Sequence, residues 1–504
     1  MLGEVTVKAL VASIDSKRHQ DSVRALGLVP LASGAAREKD VLVRYRRLHD
    51  FVRESRKFGS QRQDSEKRAA RIGLENLART AGFKDPLRLQ WALELESVRD
   101  LVAGPVTVVR GDVEVALGLD DDGVPWLRAT KKGKPVKDVP AALKKDAAIA
   151  ELREREKDLR RQSGRVRTAL EEALCRGDLF DVDELRTLMG HPVLAPRLAR
   201  LVFVSGPQCG YPTNDGRALV DHGGRSHALE NGAPLRIAHP CDLLQRGDWP
   251  AWQRECLRAE RLQPFKQVFR ELYVPTAAER GDALRSTRYA GHQVQPRQAL
   301  ALLSGRGWVA HPEDGITRTF HREGLTAHLE LDGSFLTPAE VEGLTLDGLV
   351  FRKRGAPDRL RLESIPPRVF SETMRDLDLV VSVAHRGGVD PEASASTVEM
   401  RAALLRETCR ILSLDNVDVQ EHSAIVRGHH ATYSLHLGSA VIRILGGPML
   451  VVVAVHSQHR GRLFLPFADD DPRTAEVLSK ALMLARDDEL KDPNLLEQIG
   501  WAKG

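Results

Sequence analysis

Two short stretches toward the C-terminus combine residue types that hold anions or metals. In the first, His385, Arg386, Gly387 and Gly388 follow the apolar run Leu377–Ala384 and precede Ser396-x-x-Glu399. Read locally, the run is a buried strand, the glycines are a flexible turn, and the Ser/Glu pair is a capping box opening a helix to Leu412. Free amides and the positive end of a helix dipole converge at such a junction, which suits a phosphate or carboxylate, with His385 and Arg386 as added donors. An ordinary strand-to-helix connection has the same pattern. In the second stretch, His456, His459 and Arg460 follow the apolar run Met449–Val455 and precede Asp469-Asp470-Asp471-Pro472. A parallel sheet would bring both stretches to strand ends on one edge. An antiparallel meander through Ala424–Arg427, Thr432–His436 and Ala440–Ile444 fits the turns equally and sets the loops apart.

Neither stretch completes a known catalytic motif. His-x-x-His needs further ligands to hold a metal, so no metal site is assigned. The aspartates read as a helix start, Asp471 as N-cap and Pro472 in the first turn of a helix over 473–485. Phosphate-binding glycine loops, a nucleophile elbow and zinc-protease helices are absent, and the sequence names no cofactor.

A third set lies in the aromatic- and amide-rich block Trp249–Tyr273, read as a helix kinked at Pro264. Trp252, Gln263, Lys266 and Arg270 could stack and hydrogen-bond a base, with Arg288, Tyr289 and His292 beside them. Alternatively, the block packs as core, its polar groups satisfying buried backbone. Core packing is the favoured reading.

Several regions must position these residues. With 504 residues, 42% of them hydrophobic and 29% charged, the chain has the composition of a folded protein of several domains. Residues 1–103 carry helical patterns, including Asp85-Pro86 as a helix start. Residues 104–140 switch to a period of two and read as a small β-meander ending in the basic turn Lys131–Lys134. Residues 141–310 open on a long charged helix and continue as a mixed α/β domain. Residues 311–367 form a β-rich connector, and Pro366-Pro367 separates it from a C-terminal α/β domain, 368–504. The expected fold class is thus multidomain α/β (α+β).

Composition narrows function little. The net charge is +5, from 75 basic and 70 acidic residues, which makes nucleic-acid binding a weak alternative. Five scattered cysteines with no Cys-x-x-Cys pair suggest neither a disulfide framework nor a zinc ribbon. No apolar run is long enough to span a bilayer and no signal peptide opens the chain, so the expected compartment is the cytoplasm.

The block 249–273, Leu379–Arg401 and the stretch from His456 resemble the MolR-like family of bacterial proteins. Its members are large, of unknown function, often carry a WGR domain and are described as regulators of molybdate metabolism. The resemblance runs from Val5 through Ile499, with 141–310 as the family domain; this chain, which shows no WGR domain, corresponds to the C-terminal portion of that architecture. It implies no catalytic residues. It does imply a neighbourhood of MoxR-type AAA ATPases and von Willebrand A-type proteins, and hence a component of an assembly. The leading expectation is a non-enzymatic interaction or regulatory protein. The alternatives are a nucleotide- or anion-binding or phosphate-processing enzyme sited at the C-terminal loops, and a nucleic-acid-binding protein.

Overall fold

The computed structural model describes residues 6–311, 315–332, 343–384, 395–447, 449–450, 472–490 and 492–501. The chain divides into two compact units, one of residues 1–165 with 191–194, the other of 166–190 with 195–504. The fold is mixed α/β, with an N-terminal helical region and four antiparallel sheets among the described residues.

The first unit follows its local sequence signals. Helices α1 (Val7–Lys17), α2 (Gln20–Leu26), α3 (Ala36–Ser55), α4 (Ser60–Ala81) and α5 (Pro86–Val102) precede a meander of β1 (Val106–Arg110), β2 (Val113–Leu119), β3 (Pro125–Lys131) and β4 (Lys134–Val136). The Asp85 carboxylate accepts from the Arg88 amide at 2.9 Å and Pro86 occupies the first turn, so α5 starts where the sequence places it. The long helix α6 (Ala147–Arg176) begins in this unit and ends in the second.

In the second unit, β5 (Phe180–Asp181), α7 (Val182–Met189) and α8 (Ala195–Leu198) lead to the short strands β6 (Phe203–Ser205), β7 (Gln208–Pro212), β8 (Ala218–Val220), β9 (Ser226–Ala228) and β10 (Pro234–Ile237). These strands pair in the order β5-β10-β6-β7-β8-β9. Helices α9 (Pro240–Arg246) and α10 (Trp249–Arg258) follow. The expected single helix over 249–273 is therefore corrected. It stops at Arg258, Glu260 turns into the left-handed region (φ 47°), and the chain runs on irregularly through the interior. A buried irregular segment must have its peptide groups satisfied by side chains. Here Trp249 Nε1 and Gln253 Nε2 donate to the Val268 carbonyl at 2.7 and 3.1 Å, and the Gln263 amide oxygen accepts from the Val268 N–H at 3.1 Å.

Next come β11 (Gln293–Val294), α11 (Pro296–Ser304), β12 (Trp308–His311), β13 (Gly315–Phe320), β14 (Leu325–Asp332) and β15 (Leu344–Lys353), paired β11-β15-β14-β13-β12. Helix α12 (Pro367–Ala384) lies on this sheet. Two expectations are corrected here. Leu377–Ala384 is the end of a helix, not a strand, because the apolar residues Val369, Phe370, Met374, Leu377, Val380, Val381 and Ala384 recur with helical period once the window opens at Pro367. Nor does Pro366-Pro367 mark a boundary between separate cores, since those residues share one core with Phe351 and Leu349 of β15.

Helix α13 (Ala395–Ile411) contains Ser396 rather than starting after it. It is followed by β16 (Val417–Val419), β17 (Ser423–Arg427), β18 (Thr432–His436), β19 (Ile442–Ile444) and β20 (Met449–Leu450), then α14 (Pro472–Ala485) and α15 (Pro493–Trp501). All described pairings in this sheet are antiparallel between sequence neighbours, so the meander alternative holds and the parallel one is overturned. No described helix is long and apolar enough to cross a membrane.

Candidate functional site

In the second unit, α12 and the C-terminal end of α6 both present polar faces to one cavity. On α12, Arg368, Glu372, Arg375 and Asp376 share the face that its apolar residues leave. At the end of α6, Thr168, Glu171, Glu172, Cys175 and Arg176 recur at three- and four-residue spacing and line one face likewise. Between them sits Arg270 of the irregular segment, 2% exposed. Its guanidinium grips Glu372 by two bonds of 2.7 Å, Nε to Oε1 and Nη2 to Oε2. It also reaches Glu171 Oε1 at 2.8 Å and Cys175 Sγ at 3.0 Å. Next to it, Glu271 accepts from Lys266 Nζ at 3.2 Å and Arg375 Nε at 3.0 Å. Asp376 accepts from Trp308 Nε1 at 2.7 Å and from Arg318, and lies 3.3 Å from Arg306 Nε.

Charges this deeply buried persist only when paired. Burial alone would raise the Glu372 carboxyl, but the Arg270 charge and the hydrogen bonds from Arg270 and His239 outweigh it and hold Glu372 well below the ordinary carboxylate range. Burial likewise opposes the charge on Arg270, and Cys175, Glu372 and Glu171 outweigh it. For Asp376 burial prevails: its carboxyl is raised, against Arg318 and the Trp308 hydrogen bond.

One strand of this network has the spacing of a thiol relay. Cys241 Sγ lies 3.1 Å from His239 Nδ1, and His239 Nε2 lies 3.0 Å from Glu372 Oε1. A nucleophilic thiol needs its proton drawn onto the imidazole and the resulting imidazolium stabilised by the carboxylate. Here Arg270 already neutralises that carboxylate. Burial, first among the causes, lowers the His239 imidazole below its ordinary value and pushes the Cys241 thiol up to about 12. His239 Nδ1 moreover accepts the Cys241 N–H at 3.2 Å, while the Asp242 carboxylate accepts the His239 N–H at 3.0 Å. That reciprocal pair is a capping box at the start of α9. In the resting protein the thiol and imidazole are both neutral, and the imidazole fastens the start of α9 to α12.

A cavity of about 600 Å³ opens beside the network. Its wall is formed by the polar faces of α6 and α12, Arg270, the turn Gly305–Gly307, the end of β13 and the turn His321–Glu323. Arginines also close the C-terminus of α6 here: Arg322 donates to the Gly177 carbonyl and Arg368 to the Cys175 carbonyl.

His385, Arg386, Gly387, Gly388, His456, His459 and Arg460 lie outside the described residues, as do Asp469, Asp470 and Asp471. The central candidates are dispersed. Trp252 is fully buried, with its ring edge-on to Tyr211 and His222. Gln263 donates to Gln267 at 2.9 Å, and Gln267 closes the Val202 N–H and carbonyl and the Ala238 carbonyl. Arg288 pairs with Glu279, the Tyr289 hydroxyl donates to Asp378 at 3.3 Å, and the His292 ring stands 6.4 Å from that of Tyr289. Of this set only Arg270 lines the cavity, and Lys266 joins the adjoining ion pairs. Sequence reasoning passed over Glu372, Arg375, Asp376, Glu171 and Cys175. For the three on α12 the signal was the helical spacing of charges from Arg368 onward, hidden by reading 377–384 as a strand.

Three family models match the chain: a domain of unknown function, DUF4132, over residues 133–308; a family of unknown function, DUF5724, over 1–93; and a domain of unknown function, DUF7737, over 398–499. Each covers less than half of it. Neither a MolR-like nor a WGR model is among them. No curated protein and no solved structure matches. The α6 end, Arg270 and the Gly305–Gly307 turn fall within the first match, whereas α12 and β13 fall between the matched segments.

Proposed function

We propose that this protein is a non-enzymatic interaction or regulatory component of a multi-protein system in the cytoplasm. The observation that carries the reading is the capture of Glu372 by Arg270. It turns the arrangement closest to a catalytic relay, Cys241–His239–Glu372, into a structural fastening with a protonated thiol. The resemblance to MolR-like proteins supports the same reading and supplies its partner classes, a MoxR-type AAA ATPase and von Willebrand A-type proteins.

Affinity purification from native cells with mass spectrometry tests the assembly. Stable recovery of an ATPase or von Willebrand A-type protein is the expected result, and recovery of the chain alone counts against it. The chemical half of the reading has its own assay, iodoacetamide labelling of Cys241 near neutral pH. Folded protein should label more slowly at Cys241 than the same protein unfolded in urea, because the nucleophile is the thiolate. Faster labelling in the folded state would show an activated thiol and favour an enzyme.

A further inference from the structure

We infer that the cavity beside α12 binds a small organic phosphate monoester through Arg306, Arg318 and Arg322. The charges that line the cavity are unevenly matched. Seven arginines and six carboxylates face the cavity. Glu171 and Glu372 are held by Arg270, Glu172 and Asp178 by Arg176, and Glu323 by Arg368. Arg375 is committed to Glu271, behind the wall. That leaves Asp376 for the remaining guanidinium groups. Arg318 and Arg306 share it with the Trp308 N–H, and Arg322, on the exposed rim, has a backbone carbonyl but no carboxylate partner among the described residues.

The three underpaired arginines come from three elements: the turn after α11, strand β13, and the turn between β13 and β14. Arg306 is the most telling of them. Its side chain is 32% exposed, its contact to Asp376 is 3.3 Å long, and burial works against its charge. An anion in the cavity would restore what that guanidinium lacks. Planar donor forks converging from several directions suit the tetrahedral oxygens of a phosphate better than a single carboxylate. Exposed His321 adds a further donor at the mouth.

The amides of Gly305, Arg306 and Gly307 turn back to carbonyls of Ala301, Leu303 and Ser304, so side chains rather than a backbone loop must hold the anion. The volume exceeds what a bare phosphate ion fills and is of the size that takes an organic ligand. The body of the ester would lie toward Thr319, Thr168 and the α6 face. This goes beyond the regulatory reading and does not rest on it.

The test is calorimetric titration of the whole protein with ribose 5-phosphate, AMP and inorganic phosphate, with adenosine as the uncharged control. At least one ester should saturate below about 1 mM, adenosine should not bind, and inorganic phosphate should compete. Arg322→Ala, which removes no ion pair and only the bond to the Gly177 carbonyl, should weaken the ester by about tenfold while keeping a cooperative melt, and Arg306→Gln, which also gives up the contact to Asp376, should weaken it likewise. Failure of both esters to saturate, or unchanged affinity in Arg322→Ala, overturns the inference. Phosphorus NMR of the titrated sample separates the two readings. An ester bound and recovered intact upholds both, and one bound and hydrolysed upholds the site while overturning the non-enzymatic function.

Discussion

At the scale of single residues, the second unit depends on an ion pair that only works whole. Removing one member of a buried pair strands the other, at a cost of about 3–5 kcal/mol. Glu372→Gln leaves Arg270 with Glu171 as its one carboxylate partner among the described residues, so the urea midpoint of the variant should fall. Acid adds a second readout. Folding holds Glu372 below the ordinary carboxylate value, so its stabilisation is complete above about pH 4.3 and is lost as pH falls toward the folded value. His239, also lowered on folding, acts earlier in the same direction: the unfolded chain takes up its proton near about pH 6.5 and the folded one resists it. Stability of the parent should therefore decline in two stages from neutral pH downward. In Glu372→Gln the stage below about pH 4.3 should flatten. Parallel acid profiles of parent and variant would show that the pair does not set this limb.

At the scale of elements, what could be read in advance depended on window length. The start of α5 at Asp85-Pro86 and the hairpins of 104–140 are decided by neighbouring residues, and both formed where local chemistry placed them. Leu377–Ala384 is too short to distinguish a strand from one side of a helix, and the misreading hid the charged face of α12 with it. Elsewhere a distant group settles the backbone. The Asp487 carboxylate, fully buried, accepts from the N–H groups of His429 at 2.5 Å and His430 at 2.9 Å and from the Tyr433 hydroxyl at 2.8 Å. A β-carbon on Gly428 would collide with that carboxylate, so the turn between β17 and β18 is built around it. Asp487→Ala leaves these donors unsatisfied and should cost about 1–3 kcal/mol. Hydrogen exchange should then accelerate at the amides of 429 and 430, while those of α12 remain protected; uniform acceleration would mean that Asp487 supports the whole unit rather than this turn.

At the scale of the whole molecule, divisions drawn from composition cross hydrophobic cores. Trp252, Cys256 and Phe269 of the central region lie in one cluster with Leu405 of α13, Tyr433 and Leu435 of β18, and Val477 and Leu478 of α14. The apolar face of α12 lies in another, with the sheet of β11 to β15. No local pattern announces such sharing, because each element shows an ordinary apolar face whichever neighbour covers it. The two clusters meet opposite ends of 368–504, and both are broken by a cut before residue 368. Its N-terminal helix would expose the face that packs on β15, and α13 would lose the α10 side chains that pack on it within the shared core. Such exposure removes the favourable term that must offset chain entropy. Residues 368–504 expressed alone should therefore show weak near-ultraviolet circular dichroism and no cooperative thermal transition, whereas residues 166–504 should show both. A cooperative transition in the shorter fragment would mean that the meander, α13 and α14 suffice as a core, and that the contacts to Trp252, Cys256 and Phe269 join two structures already formed.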